Sequence, residues 1–296
     1  MRRSIIAVSL AALMLLIWPA TALAALQPRL GTATSFAVLA AAGITNSGAT
    51  TITGDVGTFP TTTETGFASV TITPGGTNHM GDAVTQGAKV DEVTAYNDLA
   101  GQTPCPIFGT NPGSLDGRTL VPGCYKFSST AILNVGQTLT LSGFGVYVFQ
   151  VGSALTIGDG TTVSLINGAV ACGVYWQVAT DATIGLAPAN FQGTLVAGRS
   201  ISVNTNAVWT GRALAGALDV SGAVTLLGNT ITRPAALCAG LPTTGASPSP
   251  GVLPGNTGVP LDLRGEFPWL LLIGVGAGLG ATAMGISRRR RRRRNA

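Results

Sequence analysis

The stretch Phe191–Thr232, FQGTLVAGRSISVNTNAVWTGRALAGALDVSGAVTLLGNTIT, decides the fold, because it repeats short apolar-alternating strands at a near-constant spacing. Leu195 in GTLVA and Leu214 in GRALA stand 19 positions apart, and GVYVFQ (145–150) and GVYWQ (173–177) read as the same strand of preceding coils. A unit this short cannot bury its apolar face alone and must stack on its neighbours. The pattern therefore predicts a β-solenoid.

Working outward, the solenoid is expected from about Tyr125 to Thr232 with three strands per coil. One set is VYVFQ, VYWQ, GTLVA and GRALA; a second is ALTIG, ATIGL, SISVN and AVTLL; a third, less regular, is TTVSLI, NFQ, VWT and NTIT. Alternation puts Leu155, Ile157, Ile184, Ile201, Val203, Val224 and Leu226 of the second set inward. Residues 105–123 read as a Pro/Gly-rich loop, and residues 30–77 as short strands with glycines at the bends. Residues 78–101 lack proline and predict one helix whose stripe is Met80, Ala83, Val84, Gly87, Ala88, Ala95 and Leu99, interrupted by Asp91 and Asp98. Laid along a solenoid, it would cover one face.

The two ends carry signals of their own. Arg2 and Arg3, the apolar run 5–18 and Ala22-Leu23-Ala24 form a secretory signal over residues 1–24. Residues 267–286 contain no charge and are long enough to span a hydrocarbon core, giving an expected C-terminal transmembrane helix. A basic tail, 287–296, follows with Arg288 to Arg294, and flanking arginines stay on the cytoplasmic side. Between body and span, 241–266 is a Pro/Gly/Ser/Thr-rich linker expected to have no core of its own. It opens with Leu241-Pro242-Thr243-Thr244-Gly245, which resembles the sortase recognition motif of Gram-positive cell-wall proteins. That resemblance implies cleavage between Thr244 and Gly245, transfer of Thr244 to peptidoglycan and an extracellular body held at the wall. The alternative is that the span stays intact as a membrane anchor.

Of 17 basic residues, two lie in the signal and seven in the tail, leaving eight against 12 acidic ones for the exposed part, a net charge of −4. A nucleic-acid-binding domain needs clustered Lys and Arg, whereas Lys89, Arg118, Lys126, Arg199 and Arg212 are scattered. Four cysteines in an exported chain point to two disulfides, expected as Cys105–Cys124 and Cys172–Cys238, with no CxxC spacing for a metal. An enzyme would need convergent carboxylates; Asp159, Asp181 and Asp219 sit where turn formation explains them, and the one histidine, His79, falls beside the expected helix start. Neither a cofactor nor catalysis is expected.

FQGTLVAGRSISVNTNAVWTGRALA with GAVTLLGNTIT, the opening LGTATSFAVLAAAGITNSGATTITGDVG and the helix end TAYNDLAG together strongly resemble the microbial ice-binding proteins of the β-solenoid type, over about Leu30 to Pro234. The resemblance implies a right-handed, three-faced β-helix with a long helix alongside, pairing of the N-terminal segment with the last coil, and adsorption to ice. A domain of this kind would occupy 25–240.

Strands of adjacent coils lie about 4.8 Å apart, so one outward residue per coil makes a row and several rows a grid. Thr suits such a grid, with a hydroxyl for ordered water, a shielding methyl and a stiff χ1. The candidate row is on the second strand set, Thr156, Thr183, Ser202 and Thr225, flanked by Ser200, where Thr183→Tyr with Ser202→Tyr is expected to abolish binding; the alternative face is the third set, Thr162, Ser164, Gln192, Thr210, Thr230 and Thr232. Thr is also common on any exposed strand, so the rival reading is a cell-surface adhesin or rigid solenoid scaffold with no affinity for ice.

Overall fold

The computed structural model describes residues 24–110, 112–234 and 239–244. Each coil places strands on three faces, and all pairing between coils is parallel. Face 1 carries Gly123–Phe127, Tyr147–Val151 and Val174–Val178; face 2 carries Ala131–Leu133, Leu155–Ile157, Ala182–Ile184, Ile201–Val203 and Val224–Leu227; face 3 carries Thr138–Ser142, Thr162–Ile166 and Thr230–Thr232. The expected separate strands NFQ and VWT are instead the first halves of two 8-residue strands, Asn190–Ala197 and Val208–Ala215, whose second halves lie on face 1. Gly193 makes the bend between the halves. Its φ is +106°, and a Cβ there would meet the Val174 carbonyl oxygen at 2.7 Å. Gly193→Ala should therefore cost about 1–3 kcal/mol, seen as a lowered melting temperature; an unchanged melt would remove this account of the corner.

The stack is longer than the repeat suggested. Residues 105–123, expected as a loop, form a further coil from Ile107–Gly109, Gly113–Ser114 and Thr119–Leu120. At the opposite end the N-terminal strands build two more coils, Phe36–Ala40, Ile44–Ser47 and Thr50–Thr53, then Asp55–Thr58, Glu64–Thr65 and Val70–Ile72. The first docks on the last C-terminal coil through Leu39 with Leu214, Thr45 with Thr225, and Thr51 with Thr230. The chain thus closes one end first, travels the length of the stack and winds back to meet its own beginning.

A single helix, α1 (Ala83–Ala100), makes that journey. Its 18 residues span about 27 Å, against roughly 34 Å between the end strands of face 1 at about 4.8 Å per step; the flanking loops supply the rest. The helix starts later than the expected residue 78. Asn78 instead sits in a parallel bridge with Val56, whose N–H and C=O are satisfied by Thr77 and His79. Asp82 is the N-cap, accepting a bond from the Thr85 N–H at 2.9 Å, and that bond holds its carboxyl below the usual range. Loss of the cap in Asp82→Ala should lower the midpoint of a denaturant titration, and an unchanged midpoint would remove this role.

The buried stripe of α1 also differs from the expected one. Ala88, Ala95 and Leu99 are buried as expected, but Met80 and Val84 are exposed, and Thr85, Lys89, Glu92 and Tyr96 face inward. Asp91 and Asp98 point to neither core: Asp91 accepts from the Thr32 N–H and hydroxyl, and Asp98 pairs with Arg29 at 2.7 Å. The helix covers face 1, where its apolar residues join Leu30, Phe36, Val148, Tyr175, Val196 and Leu214 in one cluster. Gln150 and Gln177, outward on that face, bond the helix-end carbonyl of Leu99 and the Tyr96 hydroxyl.

Inside the solenoid the aliphatic rows expected on face 2 are all buried. Tyr125, Phe149 and Trp176 stack in register along face 1, with 3.9 Å between the Phe149 and Trp176 rings. Where that row shrinks to Leu195 and Ala213, Phe191 and Trp209 enter from face 3 to fill the space, the volume exchange that native packing density demands. Cys105 and Cys124 are disulfide-bonded as expected, with Cα atoms 4.9 Å apart. Cys172 is also in a disulfide; its expected partner, Cys238, lies outside the described residues. Among the described residues no helix is long and apolar enough to cross a membrane. The expected span 267–286, the tail 287–296 and all but the last residue of the signal also lie outside them.

Candidate functional site

With face 1 under the helix, faces 2 and 3 are the surfaces left open. On face 2 the strands are short: the three-residue strands present one outward side chain each, and the two four-residue strands add a second, Ser47 beside Leu227. Strand register aligns Thr156, Thr183, Ser202 and Thr225 as expected, and continues the row to Thr45 and Thr65 at one end and Ile132 and Ser114 at the other. Ser200 is not in this row: it stands two residues before Ser202, and its hydroxyl accepts the Ala223 N–H.

Charge flanks the row. Arg199 lies between Asp181 at 3.7 Å and Asp219 at 3.8 Å, beside the exposed Leu218 and Val220. Of the three aspartates expected to form turns, only Asp219 bonds its own turn, while Asp159 and Asp181 reach across to the next coil. Asp159 accepts from the Leu186 N–H, Asp181 from the Ser200 N–H, and Asp219 from the N–H and hydroxyl of Ser221. The Ser221 backbone bond lowers the Asp219 carboxyl. Among the described residues no group of three metal-ligating side chains converges.

Face 3 is built differently, because most of its strands expose positions i and i+2, and Thr138–Ser142 and Thr162–Ile166 add a third, Ser142 beside Ile166. The first column runs in unbroken register through Thr138, Thr162, Asn190, Val208, Thr230, Thr51 and Thr71. The second aligns Thr119, Thr140 and Ser164, and then Gln192, Thr210, Thr232 and Thr53, whose hydroxyl bonds that of Thr73 at 3.0 Å. Thr162 and Thr230 thus fall in one column and Ser164, Gln192, Thr210 and Thr232 in the other. None of these side chains is charged. Leu139, Val163, Phe191, Trp209, Ile231 and Ile52 alternate with them into the core, so the backbone beneath the grid is held rigid by packing.

The contributions of the N-terminal strands, Thr51, Thr53 and Thr71 on face 3 and Thr45 and Thr65 on face 2, were not among the residues singled out by sequence. The alternating TTIT and TITP segments carried the signal, but only the closing of the stack reveals which columns they extend.

The motif residues Leu241 to Thr244 are not free of the body, as expected of a linker. Leu241 is buried, Gln27 forms a parallel bridge with Thr243, and the Thr244 hydroxyl donates to Asp98 at 3.0 Å. Partial burial pushes the Asp98 carboxyl up, but bonds from Arg29 and Thr244 outweigh it and hold the group below its ordinary value. Gly245 lies outside the described residues.

Residues 38–232 match the model of the ice-binding-like family. The chain is 37% identical over 210 residues to an ice-binding protein of Nostoc sp. (strain HG1), covering 69% of this chain and 73% of that one. Among solved structures it is similar to an ice binding protein from an Antarctic biological consortium, with a TM-score of 0.64, 40% identity and coverage of 71% and 94% of the two chains. A protein from the Antarctic ascomycete Antarctomyces psychrotrophicus gives a TM-score of 0.63 at 36% identity, covering 69% and 97%. With the family model matched along most of the described body and relatives sharing its sequence over the same coils, the chain belongs to the ice-binding-like family.

Proposed function

We propose that this protein binds ice and does so through face 3. The observation that carries the reading is the pair of parallel columns on that face. Outward side chains two residues apart lie about 6.6 Å from each other along a strand and about 4.8 Å from their equivalents in the next coil. Such an array can hold a sheet of ordered water by its hydroxyls while its methyl groups exclude disordered water from between. Face 2 offers one row along the stack, with a second outward position only at Ser47 and Leu227, and that row is flanked by Asp181, Arg199 and Asp219; charged groups bind water in their own geometry. That difference favours Thr162, Ser164, Gln192, Thr210, Thr230 and Thr232 over Thr156, Thr183, Ser200, Ser202 and Thr225.

The same reading places the body outside the cell. The leader over 1–24 and the Cys105–Cys124 disulfide suit an oxidising compartment, and the LPTTG motif, apolar span and arginine tail suit attachment to the wall or membrane. A surface-held ice binder would keep its cell against ice. The test is recrystallisation: purified protein in frozen sucrose should keep crystals small at low micromolar concentration. Crystal growth equal to that of a buffer control would favour a passive scaffold instead.

A further inference from the structure

We propose that Leu241–Thr244 is a latch: the folded domain holds this segment by a parallel bridge against the mature N-terminus, and the Thr244–Gly245 bond becomes available to a transpeptidase only when the segment undocks. What the latch controls rests on the sorting reading above; the latch itself does not.

The contacts centre on one parallel bridge, Gln27 with Thr243. The Gln27 N–H donates to the Pro242 carbonyl at 2.8 Å, and the Thr244 N–H donates to the Gln27 carbonyl at 2.8 Å. Gln27 is 1% exposed, and its side-chain amide donates to the Leu241 carbonyl at 3.1 Å while its oxygen accepts from the Tyr175 hydroxyl at 3.0 Å. Leu241, 8% exposed, packs over Gly173, where even a Cβ would approach it to 3.1 Å. Thr244 is tied to Asp98, which Arg29 grips through both guanidinium and backbone N–H. One short segment is therefore fastened to the N-terminus, to the helix and to face 1 together.

An enzyme that reads an extended peptide needs the same groups: backbone N–H and C=O for strand pairing and alternate side chains for its pockets. Here the Leu241 side chain, two carbonyls and the Thr244 N–H are already engaged. The chemistry cannot start around them. In it, a cysteine thiolate of the transpeptidase adds to the Thr244 carbonyl carbon, and the Thr244–Gly245 C–N bond breaks. Gly245 departs as an amine with a proton from the enzyme's acid. A primary amine of the wall precursor then displaces the thiolate, losing a proton as the new amide forms. Undocking before processing would delay attachment of folded protein relative to chain still threading through the membrane.

Two measurements on the full-length chain test this. Amide exchange of Thr244 should be slower than in a free peptide of the same sequence by about 100-fold or more, as for a backbone bond opened only by local unfolding; exchange at the peptide's rate overturns the latch. Ligation of triglycine by a purified LPxTG-specific sortase should be at least about tenfold slower for folded protein than for a peptide of residues 237–250, and Gln27→Ala with Asp98→Ala should recover most of that difference. Equal rates for protein and peptide also overturn it. If the peptide itself is not ligated, the sorting reading fails, and Thr244 exchange still decides the latch.

Discussion

Tyrosine at Thr210 and Thr230 together is expected to bring thermal hysteresis and recrystallisation inhibition down by about tenfold or more, a loss of at least about 1.4 kcal/mol in adsorption. The two positions sit in neighbouring strands, one in each column of face 3. A tyrosine ring stands well above the plane of threonine methyls, so the flat surface can no longer approach a flat lattice, and contact is lost across adjoining coils. Neither residue packs in the core: Thr230 is exposed and Thr210 half-exposed, while Ile231 and Trp209 between them are buried. The fold should therefore persist, with circular dichroism and melting close to those of the parent. The matched control is Thr183→Tyr with Ser202→Tyr on face 2, which should keep the parent's activity. The opposite pattern, with loss in the face 2 pair alone, would move the site to the single row.

The second large effect concerns a buried ion pair under α1. Lys89 donates to Glu92 at 2.6 Å and to the Ala215 carbonyl at 2.8 Å, and Glu92 is 0% exposed with one carboxylate oxygen lacking a partner. Glu92→Leu leaves the Lys89 ammonium buried with a single carbonyl and should destabilise the protein by about 3–5 kcal/mol in urea unfolding. Lys89→Met combined with Glu92→Leu should restore most of that, since replacing both charges removes the desolvation as well as the attraction.

The pair also sets a pH dependence. Burial is the largest influence and pushes the Glu92 carboxyl up to about 7, against the opposing pull of Lys89. A carboxyl whose folded value lies above its unfolded one contributes stability that is complete below the unfolded value and is lost as pH rises through the folded value. Stability should therefore fall between about pH 5 and pH 8 in the parent, and the doubly substituted protein should lack that slope. A parent that gains stability over the same interval would contradict the assignment.

Why some of this was readable from sequence and some was not has physical causes. The coils of 145–232 announce themselves because their strands recur at short separation and alternate cleanly between core and solvent. The coil formed by Ile107–Gly109, Gly113–Ser114 and Thr119–Leu120 has strands of two or three residues among prolines and glycines, below the length at which alternation can be seen. The N-terminal strands read as strands, but their place beside residues roughly 180 positions later is set by parallel pairing across the whole chain, which leaves no local trace. The helix face was misjudged for a different reason: Lys89 and Glu92 look like a solvated pair by residue type and are buried because each neutralises the other. Likewise Leu241 to Thr244 have linker composition, and only Gln27 and Asp98, distant in sequence, fasten them to the body.

The most direct test of the central claim is to grow a single ice hemisphere in a solution of the fluorescently labelled protein. An ice binder acting through an open, uncharged threonine grid should be taken into the growing ice, with bound protein marking particular crystal planes, and the Thr210→Tyr, Thr230→Tyr protein should be left in the liquid. Exclusion of the parent protein from the ice would contradict the account.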